Sequence, residues 1–265
     1  MPTIENHGVR IFYEEMGSGT PLVLGHSFLC SGEMWRPQLQ RLAARARVIN
    51  IDYRGHGGAG EAGGRVTLYD MVADVLAVLD HLGIDRAVWA GLSIGGMVAL
   101  RAALTAPERV SGLILLDTHA GPEEAYKRIK YLTMATGIRV LGIRPFLPAI
   151  VPLFFGQTTR KANPSLVAEW RMRFTAVHIP SMLRTLDALT NRDSIVSRLS
   201  EIRVPSLVIV GAEDKSLPPA YSRQIAAGLP HSSLVVIPDA GHLSNLEQPE
   251  AVSAAMLGFL EQLAM

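Results

Sequence analysis

The stretch VWAGLSIGGMVAL, residues 88–100, constrains the fold more than any other part of the chain. Val88 and Trp89 read as the end of a buried strand, and Met97 to Leu100 as the start of a buried helix. Only a few residues separate them, and two of these, Gly91 and Gly95, bracket Ser93. A turn this tight leaves no room for a Cβ on either side of the serine, and glycine has none. Ser93 is therefore expected at the apex, with its hydroxyl exposed and its backbone strained, a condition usually tolerated for function. The pattern G-x-S-x-G between strand and helix is that of a nucleophile elbow.

Strand and helix signals alternate around this turn. Val9 to Glu15 alternates apolar and polar residues, as a half-exposed antiparallel strand does. Apolar strands are expected at 21–24, 48–52, 88–89, 112–116, 206–210 and 234–237. A helix is expected from Leu68 to Leu82, opened by Thr67 and Asp70 as a capping box and stopped by Gly83. Further helices follow Gly95, span Tyr221 to Ala227, and run from Glu250 to the end. Such alternation predicts an α/β fold, a mostly parallel sheet with helices on both faces.

Between His119 and Arg203 no strand signal occurs, and so long a stretch is not a loop in a compact domain. It is expected to form short helices broken at Gly137, Gly142, Pro145, Pro148, Pro152, Pro164 and Pro180. The expected organisation is a core domain from 1–118 and 204–265, with a helical cap, 119–203, inserted into it. The cap carries 13 Lys plus Arg and 6 Asp plus Glu, a net of +7, against −6 for the rest. That asymmetry reads either as a solvated basic face or as a lid steering acidic substrates.

The overall charge of +1 argues against a nucleic-acid partner. No apolar run is long enough to span a membrane. The N-terminal stretch does not read as a secretory signal. The lone Cys30 excludes an internal disulfide, so a cytoplasmic protein is expected. The glycine-rich run 55–64 lacks the spacing of a nucleotide loop, and no His-Glu-x-x-His pattern argues for a metal; no cofactor is expected.

A serine hydroxyl needs a base, usually a histidine oriented by a carboxylate. SLVIVGAEDKSLPP places Glu213 and Asp214 after an apolar strand, and LVVIPDAGHLSNLEQPE places His242 after the next. Such carboxyl ends of parallel strands are where active-site groups collect. Asp214 is the expected acid; Glu213 and Asp117 are its rivals. The oxyanion donors are expected to be the N–H of Ile94 and one from GHSFLCSGEMW, Ser27 before Phe28. His26, Phe28, His119, Phe146, Leu147 and Phe154 are the candidate pocket residues. Met134, Leu153 and Trp170 either pack the cap or line its pocket. His56 and Asp52 read as structural, and Cys30 as packing or pocket wall.

These segments, with VINIDYRGHGGAG and GLSIGGMVALRAAL, resemble the α/β-hydrolases of the 3-oxoadipate enol-lactonase and small carboxylesterase group. The resemblance covers the two flanks of the chain and not the cap, which in this superfamily sets substrate choice. Many relatives have His-Gly and a bulky residue where this chain has Gly25-His26-Ser27, which bears on the second oxyanion donor. The resemblance implies a serine hydrolase cleaving a small-molecule carboxylic ester or lactone through an acyl-enzyme. C–C bond hydrolysis and cofactor-free perhydrolysis are alternatives on the same scaffold. Leu243 stands where C–C hydrolases often carry an aromatic residue. A ligand-binding protein without turnover is the alternative from another class.

Overall fold

A computed structural model describes residues 2–61 and 63–263. Its centre is one eight-stranded sheet in the order β1-β2-β4-β3-β5-β6-β7-β8. The strands are β1 Thr3–Asn6, β2 Val9–Met16, β3 Thr20–Gly25, β4 Ala46–Asp52, β5 Ala87–Leu92, β6 Val110–Leu116, β7 Ser206–Gly211 and β8 Ser232–Ile237. β2 runs antiparallel to β1 and β4, and every other pairing is parallel. β1 lacks a clear apolar pattern and is recruited by the His7-Gly8 turn, where both residues have positive φ.

Successive residues of the central strands bury on opposite faces. Ala87 and Trp89 of β5 join one apolar cluster, and Val88, Ala90 and Leu92 join the other. The first cluster receives α2 Leu68–His81, α3 Ile94–Thr105 and α9 Pro219–Gly228; the second receives α1 Arg36–Ala43 and α11 Pro249–Leu263. A strand covered on both faces must be apolar at every position, and β5 is buried throughout. The capping box of α2 is present, since Asp70 N–H donates to Thr67 Oγ1 at 3.2 Å and Thr67 N–H to Asp70 Oδ2 at 2.7 Å.

Between β6 and β7 the chain is helical: α4 Ala125–Leu141, α5 Leu147–Phe154, α6 Gln157–Ala162, α7 Pro164–Thr175 and α8 Ile179–Thr190. Gly142 closes α4 and most expected breaks fall at helix ends, but two do not break a helix. α4 runs unbroken through Gly137, where a Cβ would collide with the Phe146 ring, so this glycine serves packing. Pro148, Pro164 and Pro180 open helices, where a missing N–H costs nothing. Pro152 lies inside α5 rather than ending it. Ile138, Phe154, Trp170, Phe174 and Met182 belong to the same apolar cluster as Leu24 and Ile209 of the sheet. These helices therefore share the core of one face of the sheet.

Candidate functional site

β5 hands over to α3 at Ser93, whose φ of 56° and ψ of −112° are strained for a residue with a Cβ. Two features hold it there. Ser93 N–H donates to the Leu116 carbonyl at 2.9 Å, and Thr118 Oγ1 donates to the Ser93 carbonyl at 2.6 Å. The flanking glycines permit close approach: a Cβ on Gly91 would strike the Gly95 backbone, and one on Gly95 the Gly25 carbonyl. Being first in α3, Ile94 has an N–H that no intrahelical carbonyl can reach.

Asp214 follows β7 and is buried. Its Oδ1 accepts from the N–H groups of Ser216 and Leu217 at 2.8 and 2.9 Å, and its Oδ2 lies 2.8 Å from His242 Nδ1. With its carboxylate fixed by two backbone donors, Asp214 accepts a hydrogen bond from His242 Nδ1–H, the tautomer that leaves Nε2 as an acceptor. Burial works to lower the His242 pKa, but the charge and hydrogen bond of Asp214 outweigh it and raise the pKa above 6.5. Ser93 and His242 line one cavity, although among the described residues no hydrogen bond joins Ser93 Oγ to His242 Nε2. Such bonds are often long in an unliganded site.

The two rival carboxylates are occupied elsewhere. Glu213 takes the N–H and hydroxyl of Thr158, at 2.9 and 2.5 Å. Asp117, at the end of β6, accepts from Gly211 N–H at 2.7 Å and from the Ser244 hydroxyl. Burial and the neighbouring Asp214 charge hold its pKa well above the usual carboxylate range.

The loop after β3 bears on the second oxyanion donor. Ser27 lines the cavity, and its N–H donates to Met34 Sδ at 3.1 Å. Phe28 also lines the cavity, and its N–H has no partner among the described residues. Nothing in the local sequence marks Met34 as the acceptor of the Ser27 N–H hydrogen bond.

Of the other expected pocket residues, Phe154 lines the cavity and four do not. His26 is fully buried behind the loop, its Nδ1 donating to the Ser27 carbonyl and its Nε2 accepting from Tyr53 N–H. Burial lowers its pKa to about 4. His119 stacks on Tyr221 with ring centroids 3.9 Å apart. Phe146 packs on Gly137, and Leu147 joins the apolar cluster. Position near a strand end or in an apolar run, which is what marks these four in the sequence, does not report the direction of a side chain. His56 is buried against His26 and Phe28, and burial pushes the Cys30 thiol up, leaving it protonated. Met134 and Leu153 line the cavity, whereas Trp170 does not.

The cavity has a volume of about 90 Å³. Met97, Tyr131, Ile138 and Ile150 contribute to a largely apolar wall. Its charged residues are a buried Arg192 and a partly buried Glu123, which form an ion pair at 2.8 Å. Arg192 also donates to the carbonyls of Gly121 and Leu189. This pair had no signal in the sequence, because its partners come together only when β6 and α8 do. No group of three or more His, Cys, Asp or Glu side chains able to share a metal occurs among the described residues.

Comparison with known proteins agrees with this architecture. Residues 20–249 match the model of the alpha/beta hydrolase fold family. A thermophilic esterase from Thermogutta terrifontis, solved with malate bound, superposes at a TM-score of 0.92 with 31% identity over 99% of this chain and 97% of that one. The enol-lactonase from Burkholderia xenovorans LB400 gives 0.92 with 28% identity over 98% and 100%. The 3-oxoadipate enol-lactonase 2 of Acinetobacter baylyi is 28% identical over 96% of this chain and 94% of its own. Sheet order, strand-to-helix turn and family match agree, and the chain belongs to the alpha/beta hydrolase fold family as a hydrolase.

Proposed function

We propose that this hydrolase cleaves small neutral carboxylic esters or lactones through an acyl-enzyme on Ser93. The observation that carries the reading is the His242–Asp214 contact: one imidazole nitrogen is fixed by a buried carboxylate, and the ring opens on the cavity that Ser93 also lines. As substrate binds, Ser93 Oγ turns toward Nε2 and attacks the carbonyl carbon. His242 takes the proton, and Asp214 stabilises the imidazolium. The N–H groups of Ile94 and Phe28 hold the developing oxyanion. Collapse breaks the C–O bond, and His242 returns the proton to the leaving alcohol. Water then repeats the sequence and releases the acid.

A cavity wall built mostly of apolar side chains favours an apolar acyl group or ring. Its Arg192 is already neutralised by Glu123, which supports a neutral substrate over an anionic one. In this reading residues 119–203 are a cap that shapes access to the site. The lone, buried Cys30 fits a reducing, cytoplasmic setting.

A fluorophosphonate probe tests the nucleophile. Labelling is expected on Ser93, with loss of both label and ester hydrolysis in Ser93→Ala. Retained hydrolysis in that variant, or labelling at another serine, would overturn the reading.

A further inference from the structure

From Ala125 to Ala168 the chain carries seven Lys plus Arg and no Asp or Glu. Within this stretch α4 is apolar on two sides. Tyr131, Met134 and Ile138 turn inward and line the cavity. Tyr126, Ile129, Val140 and Leu141 are 66, 68, 78 and 66% exposed. Positions 126, 129, 133, 136 and 140 are three or four apart and form one row along the helix. Thr133 and Thr136 fit that row, because their hydroxyls donate back to the carbonyls of Ile129 and Leu132, each at 3.0 Å. Their polar atoms are thus satisfied within the helix.

A helix that is apolar on both sides is ordinarily buried, so the outer row lacks a partner. Exposed Arg128, Lys130, Arg139 and Arg144 lie along it or just beyond its end. A second copy of the chain is a poor partner, since a two-fold contact would set this cationic row against itself. An anionic lipid surface complements both features. Apolar side chains enter the acyl boundary while Lys and Arg remain among the headgroup phosphates.

We propose that the outer face of α4 is a docking surface for anionic lipid, which places the wall of the substrate cavity against a membrane surface. The proposal concerns peripheral binding and does not depend on the reaction assigned to Ser93.

The full chain is tested by co-sedimentation with vesicles of phosphatidylcholine alone or mixed with phosphatidylglycerol. Binding is expected only to the mixed vesicles. It should weaken at least tenfold when salt is raised to several times the physiological level, because headgroup attraction is screened. Ile129→Glu with Val140→Glu should abolish it. Lys130→Gln with Arg139→Gln should weaken it by on the order of tenfold or more, each basic residue contributing about fivefold. Circular dichroism confirms that each variant is folded. Equal sedimentation with both vesicle types, or with neither, overturns the proposal. So does a wild-type dimer in light scattering that the two glutamates convert to monomer without any vesicle binding.

Discussion

Ser93, Asp214 and His242 stand beyond the carboxyl ends of β5, β7 and β8, and backbone hydrogen bonds fix their surroundings. Met134, Ile138, Phe154 and Met182 reach the same cavity from α4, α5 and α8, and packing fixes them. The first set depends on directional bonds that tolerate little displacement. The second depends on apolar contact, which is non-directional and tolerates exchange of similar volumes. One wall of the cavity is thus suited to hold chemistry constant, and the other to change what enters.

Beyond that shared core, hydrogen bonds tie the two together beside the site. Leu243 N–H donates to the Phe154 carbonyl at 3.0 Å, and Glu247 accepts from Gly156 and Gly241 N–H at 2.8 and 2.9 Å. The start of α6 is held by Glu213 in the same way. The loop bearing His242 is therefore stitched to the helical stretch. This is the structural use of Glu213 and Glu247, neither of which lines the cavity.

The largest expected effect lies on the sheet side. Ser93→Ala should lower kcat by roughly 10⁶-fold with an unchanged circular dichroism spectrum. A loss smaller than a hundredfold would mean that the strand-to-helix turn is not the reacting element. Next, Asp214→Asn should cost about 10⁴-fold, because an amide favours the wrong imidazole tautomer. Asp117→Asn should cost less than tenfold, since burial already disfavours its charge. Steady-state kinetics on one short-chain ester compares them, and the reverse order would move the acid to the end of β6.

On the helical side, Phe174→Ala should destabilise the whole chain by about 3–5 kcal/mol in a single transition, because its ring belongs to the core shared with the sheet. Two separate transitions in denaturant would show that the helices have a core of their own, distinct from that of the sheet.

The pH dependence has opposite signs for activity and stability. His242 must be neutral to accept the Ser93 proton, so kcat/KM should rise with pH through a midpoint above 6.5. Its folded pKa is raised, so its contribution to stability is full below about pH 6.5 and is lost as pH rises through the folded value. Asp214→Asn should move the activity midpoint downward. A midpoint that stays in place would separate His242 from the titration.

The smallest effect is expected from Met134→Ala, a few-fold shift in kcat/KM toward longer acyl chains with little change for acetate esters. An unchanged acyl-length profile would assign the chain-length limit to the sheet side.

Much of the sheet is legible in the sequence because its rules are local. The all-apolar β5, the glycines around Ser93 and the Thr67–Asp70 box each report a backbone requirement at their own position. Strand ends also locate Asp214 and His242, since chain order and the parallel sheet bring successive loops to one edge. Sequence alone could not give side-chain direction or long-range partners. It could not show that Ser27 N–H is taken by Met34, that His26 turns behind its loop, or that Glu123 neutralises Arg192. Nor could it tell a glycine that ends a helix from Gly137, which makes room for Phe146. Backbone conformation is set largely by neighbours along the chain. The satisfaction of a donor or a buried charge is set by whatever packs against it, and only the folded chain decides that.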